Sequence, residues 1–258
     1  MDDAIPTQPQ GAFRPYGLFG LVLSLAGASV IASLALSLST GLAALIVYLL
    51  FGWPYLHDLI KGALDMTQTG RLEDLTTAGF VVGCAIYIAG IVGLWAMARL
   101  RAGKAWPLLL AWTPFRADRV YWWLLVAAMA YGLGASLALG YFNPVSKTWF
   151  ALPESPLALV AGFALVVILA PLSEELLFRG WIYTALRSRF GFATALWASA
   201  IIFALAHWDP THLYALAILP LGLVLGYVRE RTGSARATTL FHMIYNSSAL
   251  ALSFLGKV

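Results

Sequence analysis

The sequence predicts an all-α protein, a polytopic transmembrane helical bundle of about seven spans within a range of six to eight. Three observations predict it. Of 258 residues, 61% are hydrophobic and only 11% charged, against about 25% charged in a soluble globular domain. Mean hydropathy is +0.81, and apolar runs of bilayer-crossing length recur along the whole chain. The alternation of a membrane β-barrel strand, with its polar lumen face, is missing.

The chain begins "MDDAIPTQPQGAFRPYG", without the basic region and small-residue cleavage site of a signal peptide. It reads as a short tail before a retained first anchor. The spans fall at 17–50, 75–98, 120–141, 157–190, 192–208, 212–228 and 236–255. The first is long, with a break predicted near Ser39, Thr40 and Gly41, and the fourth is too long for one simple crossing. Residues 104–119, "KAWPLLLAWTPFRADR", are basic and aromatic and predict a segment lying along the cytoplasmic surface. The patterns "GFVVG" at 79–83 and "GLVLG" at 222–226 permit close helix approach. Cys84, the single cysteine, excludes an internal disulfide and reads as a small packing residue. With no internal repeat, an inverted-repeat transporter has no support.

Lys and Arg on alternate sides of these spans divide 12 to 4. That asymmetry predicts a cytoplasmic N-terminus in a multi-pass protein of the plasma (inner) membrane. The net charge of +4 does not point to nucleic acid, because the basic residues border apolar runs. The partners implied are the lipid bilayer and a membrane-embedded or lipidated substrate. The chain divides into two regions: 1–150, with N-terminal helices and the amphipathic loop, and 151–258, where the polar residues gather.

Ionisable groups at membrane depth are costly and mark function. Here they are Glu174, Glu175 and Arg179 in "PLSEELLFRGW", His207 in "FALAHWD", and His242 with Asn246 in "LFHMIYN". Glu175 and Arg179 are spaced i,i+4 with the acid first, the favourable order for an ion pair. Glu174 points about 100° away on the helix and is left available as a general base. It stands 16 residues before Phe190, and His207 stands 16 after Gly191. At 1.5 Å per residue, both lie about 24 Å from a turn at Phe190–Gly191 and face each other across an antiparallel pair. His242 and Asn246 enter the last span at similar depth and share one helix face. His57 and His212 read as solvated residues of polar segments.

The motifs E-E-x-x-x-R at 174–179, F-x-x-x-H from Phe203 to His207 and H-x-x-x-N from His242 to Asn246 occur in that order. The set resembles the CPBP family, the CAAX proteases and bacteriocin-processing enzymes (ABI), which includes the type II CAAX prenyl endopeptidases. The resemblance covers about residues 155–256. It implies an intramembrane endopeptidase in which Glu174 and His207 activate water. His242 and Asn246 would steady the oxyanion, with Glu175, Arg179 and Phe203 in support. A non-proteolytic relative acting as an immunity or scaffold protein is the alternative. The reading favours no metal, with zinc on Glu174, His207 and His242 as the other possibility. Against zinc stand the absence of H-E-x-x-H spacing and the lack of a further acidic residue in the last span to orient a zinc-bound His242.

Overall fold

The computed structural model describes residues 17–69, 72–142, 156–208 and 213–255, and among these every regular element is helical. The helices are α1 (Leu18–Thr69), α2 (Leu72–Ala102), the short α3 (Trp106–Leu109), α4 (Arg119–Phe142), a composite α5 (Pro156–Arg187), α6 (Phe192–Ala206), α7 (Leu213–Thr232) and α8 (Ala235–Leu255). Seven of them stand where the seven apolar runs predict. Five contain stretches long and apolar enough to cross a membrane: Phe19–Ile46, Gly79–Leu109, Arg119–Ala138, Pro156–Arg187 and Leu213–Thr232. α6 is apolar but shorter, and α8 is diluted by Thr238, Thr239, His242, Asn246, Ser247 and Ser248. Leu38, Leu49, Trp123 and Val160 are exposed, the arrangement of a chain whose outer surface meets lipid rather than water.

The break in the first helix is not at Ser39, Thr40 and Gly41. The Ser39 and Thr40 hydroxyls donate to Leu36 O, each at 2.9 Å, so both are satisfied inside the helix and interrupt nothing. The helix breaks at Gly52, whose φ of 80° only glycine adopts readily, two residues before Pro54. His57 therefore lies on the helix beyond this kink, exposed and 3.4 Å from Asp58, not in a loop. His212, Arg14, Arg71, Lys147 and Lys257 lie outside the described residues.

Two apolar cores hold the bundle. One joins Tyr121 and Leu125 of α4 to Phe178 and Tyr183 of α5, Phe203 of α6, Leu221 and Leu225 of α7 and Phe241 of α8. The other joins Leu21 and Ala28 of α1, Leu94 and Ala98 of α2 and Leu109 and Leu110 to Leu176 and Trp181 of α5. α5 thus stands between both. The glycines of "GLVLG" do bring helices together. A Cβ on Gly222 would sit 3.3 Å from Ala200 Cα and Phe203 Cδ1, and one on Gly226 would sit 2.7 Å from Leu196. The absent side chains let α7 close on α6.

Within the segment around 104–119 a short helix forms at Trp106–Leu109. Leu109, Leu110 and Ala111 are buried, and the chain then clamps the α7–α8 turn. Ala111 O accepts from Ala235 N at 2.7 Å, with Ala111 at φ 48°. Ser234 Oγ donates to Thr113 O at 2.5 Å, and Tyr121 OH donates to Ala237 O at 3.0 Å. The Ala235 N–H, an orphan donor at the start of α8, takes Ala111 O in place of water.

Asp118 caps α4 by accepting from Tyr121 N at 2.9 Å, and Arg231 of α7 donates to its other oxygen at 2.6 Å. The Arg231 hydrogen bond, with the backbone N–H of Tyr121, holds the Asp118 carboxyl below the usual carboxylate range. A lowered native value means stabilisation present above the unfolded-state value, about pH 4, and lost as pH falls through the native one. Asp118 and Arg231 side chains are 48% and 40% exposed, so solvent screening keeps the contribution to about 1 kcal/mol. Asp118→Asn is expected to melt below the wild type in detergent at pH 7. The gap between the two melting temperatures should narrow as pH falls below about 4; a gap that does not narrow there would contradict the assignment.

Candidate active site

The site is built on α5, which is not a uniform α-helix. Two π-turns interrupt it, Ala164–Leu169 and Leu176–Ile182, on either side of the α-helical stretch Ala170–Glu175 that bears both glutamates. Pro171 accounts for the first. A proline inside a helix has no N–H, and its ring collides with the carbonyl four residues back, so the preceding turn must widen. The second lies over the Glu175–Arg179 pair and ends with Tyr183 N–H on Phe178 O.

Glu175 and Arg179 form the predicted ion pair, Arg179 Nη1 to Glu175 Oε1 at 2.8 Å, with neither side chain exposed. Arg179 Nη2 also donates to Gly222 O at 3.1 Å, and its guanidinium lies 4.4 Å from the centre of the Phe203 ring. That cation–π contact gives Phe203 its supporting place. His242 joins this sealed group, with Nδ1 3.0 Å from Glu175 Oε1 and 5% of the side chain exposed. A carboxylate only accepts, so His242 Nδ1 carries the hydrogen.

Glu174 and His207 form a second, accessible pair. His207 Nε2 is 3.7 Å from Glu174 Oε2, and the His207 and Glu174 side chains are 21% and 14% exposed. His207 caps the C-terminus of α6 rather than continuing it, and its Nδ1 donates to Phe203 O at 2.8 Å. Since a carbonyl oxygen only accepts, the hydrogen of the neutral ring sits on Nδ1 and the Nε2 lone pair faces Glu174. The two groups meet across the α5–α6 turn at residues 188–191, as their equal spacing from it requires.

The motif residues are therefore divided between two adjacent acids. Glu174 takes His207, and Glu175 takes Arg179 and His242. The Phe203 ring lies between them, 4.5 Å from the His207 ring centre and 6.0 Å from that of His242. Asn246 donates through Nδ2 to Val166 O at 2.8 Å. His242 thus bonds Glu175 rather than Glu174.

One argument against zinc also falls, because the acid that orients His242 comes from α5 rather than from its own span. Nevertheless, among the described residues no three His, Cys, Asp or Glu side chains stand close enough to hold a metal ion.

Two neighbours of these groups escape a reading of the sequence alone. Tyr87 of α2 donates its hydroxyl to Glu174 Oε1 at 3.3 Å; its signal is a polar-tipped ring in mid-span. Arg229, which the apolar pattern puts in a loop, is buried within α7. Its Nε donates to Arg179 O at 3.3 Å and its Nη2 to Thr184 Oγ1 at 3.3 Å. No spacing rule links it to α5.

The geometry coincides with a family boundary. Residues 156–248 match the family model described as Type II CAAX prenyl endopeptidase Rce1-like. The match bears out the resemblance carried by the three motifs and covers α5 to α8, the helices that hold both acid–imidazole pairs. The chain is also similar to an uncharacterized 24.3 kDa protein of Escherichia coli, 37% identical over 144 residues, which is 50% of this chain and 62% of that protein. The chain thus spans less than two thirds of the curated relative it matches. No solved structure matches it.

The two acids are expected to respond oppositely to substitution. Arg179→Ala leaves Glu175 charged and sealed, at a loss of about 3–5 kcal/mol of stability. Glu174→Gln keeps the shape of a partly exposed side chain and should shift the melting temperature in detergent far less. A larger loss for Glu174→Gln than for Arg179→Ala would reverse the assignment.

Proposed function

We propose that this protein is an intramembrane endopeptidase that hydrolyses a peptide bond in a membrane-associated or prenylated substrate. The observation that carries the reading is the Glu174–His207 pair. It is an acid and an imidazole at 3.7 Å, partly open, beside a polar group that is otherwise sealed. That separation is too long for a direct hydrogen bond and suits a shared water. Glu174 takes a proton from this water as hydroxide adds to the scissile carbonyl, and later returns it to the leaving amine. His207 accepts from the same water through Nε2. Tyr87 holds the other carboxylate oxygen and so keeps Oε2 turned toward His207.

In this reading the developing oxyanion takes hydrogen bonds from Asn246, whose amide retains a second N–H beyond its bond to Val166 O, and from His242 through Nε2 when that ring is charged. Glu175 and Arg179 hold His242 in place. The chemistry proceeds without a metal. The protein sits as a multi-pass chain in the inner membrane with its N-terminus in the cytoplasm, the orientation that the Lys and Arg asymmetry supports.

Membranes carrying the wild-type chain should release peptides that are absent with Glu174→Gln, and cleavage of a farnesylated peptide in proteoliposomes should fall about 10²–10⁴-fold in that variant. Activity should survive exhaustive chelation. Loss on chelation with recovery on stoichiometric zinc would overturn the metal-free mechanism. A Glu174→Gln protein that retains its cellular role would favour the immunity or scaffold reading instead.

A further inference from the structure

The contact between Asn246 and α5 has a cause in the sequence of α5. In the first π-turn, Ala170 N–H bonds Leu165 O, five residues back. The next carbonyl, Val166 O, loses its α-helical partner to that bond. In the same register its donor would be the N–H of residue 171, and residue 171 is proline. Val166 O is therefore left without a helical donor at membrane depth, where water cannot replace one. The Asn246 amide fills the gap at 2.8 Å from α8, 80 residues away in the chain.

We infer that Pro171 is a positioning residue for Asn246: by withholding an N–H it keeps Val166 O free as the anchor that fixes the Asn246 amide. One amide hydrogen is then committed to α5 and the other is held in a set direction. The same bond fixes the widened turn. A π-turn is an α-helix with one residue inserted, which rotates the downstream part of the helix by about 100° relative to the upstream part. The turn thus sets how Glu174 and Glu175, three and four residues after Pro171, face relative to the part of α5 packed on α2. The anchoring stands on the backbone alone, while its consequence for turnover rests on the endopeptidase reading above.

The test is a double-mutant cycle on the full-length protein in detergent and in proteoliposomes. Asn246→Ala leaves the Val166 carbonyl unsatisfied and should lower the melting temperature by roughly 3–8 °C. Asn246→Asp, which keeps the shape and loses the donor, should melt with it. Pro171→Ala restores an N–H for that carbonyl, so the double variant Pro171→Ala/Asn246→Ala should melt well above the sum of the two single losses. Strictly additive losses would overturn the inference.

With the farnesylated peptide, Pro171→Ala alone should lower kcat by about ten- to a hundredfold with KM unchanged, because the freed amide wanders. In the Asn246→Ala background it should lower kcat no further. An equal loss in both backgrounds would remove Pro171 from any action through Asn246. If the melting cycle couples as stated while Glu174→Gln stays active, the endopeptidase reading fails and the carbonyl anchor stands.

Discussion

A guanidinium with no exposed surface sets the terms for the rest of this bundle. Arg179 is fully buried among Glu175, Gly222 O and the Phe203 ring. An uncompensated charge in such a place costs several kcal/mol, so each surrounding element is held to one arrangement. α7 must bring a bare carbonyl close, which the missing side chain at Gly222 permits. α6 must present an aromatic face, and Phe203 supplies it. α5 must place its acid one turn before the arginine. Arg229 then caps the Arg179 carbonyl, so the backbone of the same residue is tied to α7 as firmly as its side chain.

This fixed cluster lets the neighbouring acid stay free. Glu174 and Glu175 are adjacent, yet a rotation of about 100° per residue sends one into the sealed group and the other toward the open side. His242 joins the sealed acid and His207 the open one, and the Phe203 ring separates the two imidazoles while its carbonyl selects the tautomer of His207. A base needs a partner that does not neutralise it. For the base proposed at Glu174, an ion pair would remove that capacity, whereas a lone pair on His207 Nε2 and the Tyr87 hydroxyl leave it intact.

How much of this is legible in the sequence depends on whether the signal is local. Helix periodicity carries the Glu175–Arg179 pair, and equal distances from the Phe190–Gly191 turn carry the meeting of Glu174 with His207, because both arise from rise and rotation along one or two connected helices. The apolar runs carry the helices of α2 and α4 to within a few residues. The illegible part is non-local. Which acid His242 selects depends on how α8 is rotated against α5, and no spacing in either segment fixes that rotation. The docking of Leu109, Leu110 and Ala111 depends on the Ala235 N–H at the start of α8, more than a hundred residues on. The break at Gly52 is within reach of the sequence, since Gly-x-Pro is a stronger interruption than hydroxyl residues that bond their own preceding turn.

The π-turns show why the helix rules hold where they do and stop where they do. The stretch from Ala170 to Glu175 is α-helical, so the two acids diverge as an ideal helix requires. The turns on either side add residues without adding equal length, and each displaces the register of the chain beyond it. Arg179 lies inside the second turn and still reaches Glu175, since its side chain is long enough to absorb the shift. Asn246 and Arg229 have no such latitude, because each bonds a main-chain carbonyl in a π-turn, Val166 O and Arg179 O. The two polar side chains that arrive from other helices thus bond the places where α5 departs from the α-helix. For Val166 O that coincidence has its origin in the backbone itself, since in a membrane interior a carbonyl denied its helical donor must be met by protein or the turn cannot persist.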